Sequence, residues 1–115
     1  MLKQYFKSYD FQRVKTGDTL STGRYTLTFV EMPMIHWPDN MLTYVAEQKI
    51  AFSNDAFGQH IASYDIFDDA HGAAKCIDRA KDYYANIVMP YGMQVANKPK
   101  QIRAMTLAID MIDPA

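Results

Sequence analysis

Cysteine is almost missing from this 115-residue chain. Cys76 stands alone, so no disulfide can form within it, and a reducing, cytoplasmic compartment is expected. A charge excess is missing too: 12 Lys and Arg against 13 Asp and Glu leave a net charge of −1. Such a balance gives no basic footprint for nucleic acid or an anionic membrane. No apolar run approaches the roughly 20 residues that cross a bilayer, and the opening MLKQYFKSYD lacks the apolar core of a secretory signal. There is no repeat, low-complexity tract or Gly/Ser linker, so one continuous folded piece is expected.

What is present reads first as β structure and then as helix. Met1 to Lys7 suggests the last turns of a helix or a frayed end. From Gln12 to Met32, Tyr25, Leu27 and Phe29 alternate with Thr26, Thr28 and Val30, the period-2 signal of a strand. Thr16-Gly17-Asp18 and Thr22-Gly23 punctuate this stretch as turns. Leu42–Ala46 and Lys49–Ser53 flank Glu47-Gln48 and predict a short hairpin. After Phe57-Gly58 the period lengthens. Ile77, Ala80, Tyr84 and Ile87 share a helical face, with Cys76, Tyr83 and Val88 beside it, which predicts a helix over 73–89 ended by Pro90. Asp68-Asp69 suits the positive end of a helix. A second helix is expected from Pro99, with Ile102, Met105, Ile109 and Ile112 as its buried stripe. Strands followed by two C-terminal helices make the fold class α/β (α+β), with helices against one face of a sheet.

The chemistry concentrates in two loops. MPMIHWPDNM carries His36 just before the predicted hairpin, and Asp55 follows it. An antiparallel hairpin returns to its starting end, with strands about 4.8 Å apart, so the two side chains share one sheet rim. Pro38 restricts Trp37 to extended conformations and stiffens the loop that presents His36. An imidazole and a carboxylate converging there suit a metal such as zinc or iron, and a carboxylate can bridge two ions. On spacing alone, such a pair is more often a hydrogen-bonded His–Asp pair than a pair of metal ligands. His60 and His71, beside glycine-containing loops, read as solvated. Tyr83-Tyr84 on a helix is compatible with core packing alone.

The stretches TLTFVEMPMIHWPDNMLTYVAEQKIAFSNDAFGQHIAS and DYYANIVMPYG closely resemble the metallo-β-lactamase-like domain of flavodiiron proteins, and the similarity covers nearly the whole chain. The resemblance implies that His36, from HWPD, binds one iron and that Asp55, from SND, bridges both. It also implies that Tyr83, the first tyrosine of YYANI, lies beside the substrate pocket and acts as the catalytic hydrogen-bond or proton donor. It implies a partial metallo-β-lactamase-like fold with a mainly antiparallel or mixed sheet. The parent would be an O2 or NO reductase with a non-haem diiron centre, FMN on another domain, a rubredoxin-like electron donor and a head-to-tail homo-oligomer.

The family's upstream His-x-Glu-x-Asp-His motif has no counterpart in these residues, and its further His-Gly pair, which follows a Pro-containing loop, is expected directly after the closing MIDPA. Residues 1–115 are therefore expected to be a fragment of that domain, carrying no tight diiron site and no reductase activity alone. A metal-dependent hydrolase of the wider fold group, with paired metals activating water, is the alternative enzyme. A noncatalytic structural fragment that folds against a partner is the alternative outside catalysis.

Overall fold

Thr26, Thr28 and Val30, alternating with Leu27 and Phe29, give β2 (Thr26–Glu31) the stiff, branched surface that a pleated strand packs well. The chain turns back at Gly23, whose φ of 89° only glycine adopts freely, to pair β2 with the short β1 (Thr19–Ser21). The predicted hairpin forms as β3 (Met41–Val45) and β4 (Ile50–Asn54) around Ala46–Lys49, with Lys49 left-handed at φ 54°. Glu47 in this turn accepts the Thr26 N–H at 2.9 Å, fixing the turn to the start of β2. That bond holds the Glu47 carboxyl below its ordinary range. The computed structural model describes residues 2–6 and 8–114, and of the helix expected at the start it shows one turn, α1 (Leu2–Tyr5). Met1 and Lys7 lie outside the described residues.

The sheet runs in the order β1-β2-β3-β4-β5. Four strands are antiparallel, and β5 (Met111–Pro114) adds in parallel beside β4, so the sheet is mixed. Register places Val30 opposite Leu42 and Tyr44 opposite Ala51, all on one face. These residues form the core with Met32, Ile35 and Ala56, and Val95, Ile102, Met105, Leu107 and Ile109 pack over them. On the opposite face Leu27, Val45, Ile50 and Met111 line up across the strands.

The helical half differs from expectation in three places. The first helix, α2 (Ala73–Tyr83), is followed by a π turn over Tyr84–Val88 and a 3-10 turn over Met89–Tyr91 that contains Pro90. Its inward stripe is Cys76, Ala80 and Tyr83, while Ile77 and Tyr84 are 52% and 41% exposed. The five-residue π turn then returns Val88 to the buried side. Second, α3 spans Gly92–Ala104 with Pro99 inside it. Seating Val95 and Ile102 on the core outweighs the backbone hydrogen bond that a proline lacks. Third, the chain leaves the helix at Thr106, which is left-handed at φ 51°, so Ile109 and Ile112 do not extend a helical stripe. Ile112 instead pairs with Ala51 in β5 and is 45% exposed. The Asp68-Asp69 pair forms a separate 3-10 turn, Asp68–Ala70, ahead of α2. No helix among the described residues is long and apolar enough to cross a membrane.

Tyr44 joins the sheet to the segment after α3. Its ring is buried and its hydroxyl donates to the Ala108 carbonyl at 2.8 Å. Tyr44→Phe keeps the packing and removes the bond, so it should lower unfolding free energy by about 1 kcal/mol in a urea titration.

Candidate metal centre

Both loops that the sequence singles out end at the same rim, because β2 leaves, β3 enters and β4 leaves the sheet there. The first loop, residues 32–40, is closed by its own backbone. The Met32 N–H donates to the Asn40 carbonyl at 2.8 Å, and Met34 donates to Trp37 at 2.8 Å. Asn40 is 4% exposed. Its side-chain amide donates to the Ile35 carbonyl, and its Oδ1 accepts the Met41 N–H at 2.9 Å. With Met32 and Ile35 anchored in the core, His36 between them and Asn40 has little freedom.

The second loop has a matching anchor. Ser53 is fully buried and its hydroxyl donates to the Ala56 carbonyl at 2.7 Å. Ala56 enters the core, so Asp55 is turned toward the rim between the buried Ser53 and Ala56. Asn54 and Phe57, on either side, are left-handed at φ 56° and 66°, and Met34 in the first loop at 63°. Non-glycine residues in this region carry strain, and such positions concentrate at sites that need a fixed geometry.

His36 Nε2 and Asp55 Oδ2 stand 3.7 Å apart, with the two side chains 28% and 30% exposed. That is too long for a hydrogen bond. Ligand atoms about 2.1 Å from one tetrahedral ion lie roughly 3.4 Å from each other, so a small adjustment would let both reach a shared ion. Among the described residues, no group of three or more His, Cys, Asp and Glu converges.

Tyr83 reaches the same rim from α2, with its hydroxyl donating to the Asp55 backbone carbonyl at 3.0 Å. Burial, and secondarily the Asp55 charge, push the phenol above its ordinary pKa. The ring is gripped by the Asp55 loop. A Cβ on Gly58 would lie 2.8 Å from Tyr83 Cζ, so the close approach requires glycine there. His60 is exposed in a loop, as expected, and its ring also meets Tyr83 edge-to-face at 5.0 Å and 89°. His71 faces the Asp65 carbonyl at 3.4 Å, away from this group. The sequence gives no site role to Asn40, Ser53 or Gly58, and His60 reads from it only as a solvated residue. The signal available was their place in the same HWPDN and SNDAFGQH stretches as the two candidate ligands.

Asn40→Leu leaves the Ile35 carbonyl and Met41 N–H without their buried partner. It should cost about 1–3 kcal/mol and speed amide exchange across residues 32–41 in NMR. A raised phenol pKa makes a second prediction. The folded state holds the Tyr83 proton more tightly than the unfolded state, so this contribution is complete below the ordinary value of 10.0 and is lost as pH rises through the folded value. Urea titrations at alkaline pH should show this loss in the native chain and a smaller one in Tyr83→Phe.

No protein-family model matches the chain. Individual proteins do. A nitric oxide reductase of Moorella thermoacetica is 47% identical over 116 residues, covering 99% of this chain and 29% of that protein. The rubredoxin oxygen:oxidoreductase of Desulfovibrio gigas superposes with a TM-score of 0.89 at 38% identity, over 98% of this chain and 29% of that one. The flavodiiron protein of Giardia intestinalis gives a TM-score of 0.79 at 36% identity, over 90% and 25%. The chain thus spans less than a third of the length of these relatives. Its mixed sheet and C-terminal helical segment match their metallo-β-lactamase-like fold, and in sequence and in fold the chain corresponds to a part of flavodiiron proteins.

Proposed function

We propose that His36 and Asp55 are metal-ligand positions of a non-haem diiron centre in an oxidoreductase that reduces O2 or NO. The observation that carries this reading is the 3.7 Å approach of His36 Nε2 to Asp55 Oδ2 on an accessible rim, without a hydrogen bond between them. The relatives support it: one is named a nitric oxide reductase and another a rubredoxin oxygen:oxidoreductase. The donor set fits, since imidazole nitrogen and carboxylate oxygen both suit iron. Irons that His36 and Asp55 helped to hold would pass electrons to the diatomic substrate.

The chain's own residues divide the remaining work. Asn40 and Ser53 hold the two ligand loops by buried hydrogen bonds, so little ordering is left for metal binding to impose. Tyr83 is a neutral phenol in the neutral range; its hydroxyl donates to the Asp55 carbonyl in this structure and would leave that bond to donate to the substrate. Gly58 and His60 fix that phenol from two sides. In this reading residues 1–115 are a piece of a metallo-β-lactamase-like domain, and further ligands come from residues beyond them. FMN sits on another domain, a rubredoxin-like protein supplies electrons to it, and the protein is a cytoplasmic homo-oligomer.

One imidazole and one carboxylate leave an ion mostly hydrated, so the 115-residue chain should bind metal weakly. Titration with Co(II) should shift and broaden NMR signals around His36 and Asp55 first, and dialysis should remove the metal. His36→Ala and Asp55→Ala should each abolish the local effect while leaving the circular dichroism spectrum unchanged. Broadening centred elsewhere, or unchanged in both variants, would refute the assignment.

A further inference from the structure

Glu31 is the last residue of β2, and the loop that presents His36 begins directly after it. Two residues earlier, the backbone of Phe29 faces the β1 side of the strand. Its N–H donates to the Asp18 carbonyl at 3.0 Å, and its carbonyl accepts the Gly17 N–H at 2.9 Å. The pleat turns the backbone groups of Glu31 to that same side. No strand meets them there, because the incoming chain has turned away, with the Asp18 N–H closing on the Lys15 carbonyl at 3.0 Å. Two side chains stand in for the missing ladder. Thr16 Oγ1 accepts the Glu31 N–H at 2.9 Å, and Lys98 Nζ, from α3, donates to the Glu31 carbonyl at 2.7 Å. The Glu31 carboxylate is occupied separately, accepting the Thr16 N–H at 3.2 Å, so the ammonium serves the backbone oxygen. Gln101 Oε1 accepts from the same ammonium at 2.9 Å and steadies it on the helix.

We propose that Lys98 is a positioning residue, which fixes where the chain leaves β2 and so holds His36 at its distance from Asp55. The inference rests on the reading of His36 and Asp55 as metal ligands. The anchors Met32, Ile35 and Asn40 act within the loop itself, whereas Lys98 ties the loop's entry to a helix 67 positions away. A hydrogen bond from an ammonium is stronger than one between neutral groups, and Val95 and Ile102, before and after Lys98 in sequence, seat α3 on the core. Each candidate ligand loop is therefore bound to its own helix. Tyr83 connects the Asp55 loop to α2, and Lys98 connects the His36 loop to α3. A shift of either helix would change the separation of the pair.

The test compares Lys98→Met, which keeps the stem and removes the donor, with Lys98→Arg, which keeps a cation and N–H donors. In Lys98→Met, amide exchange within residues 32–40 should speed about tenfold, and the His36 ring signals in NMR should shift and broaden. The turn at residues 46–49 should not change. Affinity for Co(II) at His36 and Asp55 should fall roughly tenfold. Lys98→Arg should restore most of each effect. Tyr44→Phe, which loses a hydrogen bond elsewhere on the same core, controls for general destabilisation and should leave the His36 ring signals and Co(II) affinity as they are. Native loop exchange and ring signals in Lys98→Met, or equal changes in Tyr44→Phe, would overturn the positioning role. If Co(II) does not collect at His36 and Asp55 in the native chain, the ligand reading fails, and loop exchange with the ring signals still decides what Lys98 does.

Discussion

Two buried polar side chains, Asn40 and Ser53, govern the geometry of the candidate site. An unpaired polar group in a core costs about 1–3 kcal/mol, so each must keep its hydrogen bonds, and each can do so in only one arrangement of its loop. Asn40 bridges the Ile35 carbonyl and the Met41 N–H, drawing both ends of the His36 loop together. Ser53 closes on the Ala56 carbonyl and sets the turn that exposes Asp55. The site is therefore specified from beneath, by groups that never touch solvent.

Strain accumulates just above these anchors. Met34, Asn54 and Phe57 all have left-handed backbones although none is glycine. A relaxed loop would let His36 and Asp55 swing apart, since both side chains are nearly a third exposed and make no mutual hydrogen bond. Core burial of Met32, Ile35 and Ala56 offsets the strain and holds the pair at a fixed separation. Tyr83 adds a third constraint by hydrogen-bonding the Asp55 backbone, leaving the carboxylate free.

The sheet rim was legible in the sequence because it depends on local patterns. Two apolar runs around Glu47-Gln48 make a hairpin, and a hairpin brings its ends together whatever lies beyond. That His36 and Asp55 meet follows from this alone. The helical half was less legible, for reasons visible in particular residues. Ile109 and Ile112 continue the spacing of Ile102 and Met105, yet Thr106 turns the backbone and Ile112 joins β5, a four-residue strand too short for a period to show. Pro99 looks like a helix start until Val95 is seen packed on the core. The grip of Gly58 and His60 on Tyr83 spans about 25 residues of chain, and no local rule connects them.

The π turn at Tyr84–Val88 bears on how the chain can change in length. Asn86 donates its side-chain amide to the Asp82 carbonyl at 2.7 Å, supplying a donor where the helix has slipped out of its usual repeat. Winding the same five residues into an ordinary helix would rotate everything after them by roughly 100°. Val88 would leave the buried side, and α3 would present a different face to the sheet. The segment is thus a register lock: it takes up one residue more than an ordinary turn, so a single-residue deletion can be absorbed within it but not elsewhere in the helix. The exposed turn at Thr22–Tyr25, which connects only β1 to β2, has no such dependence and is where length variation would be accommodated.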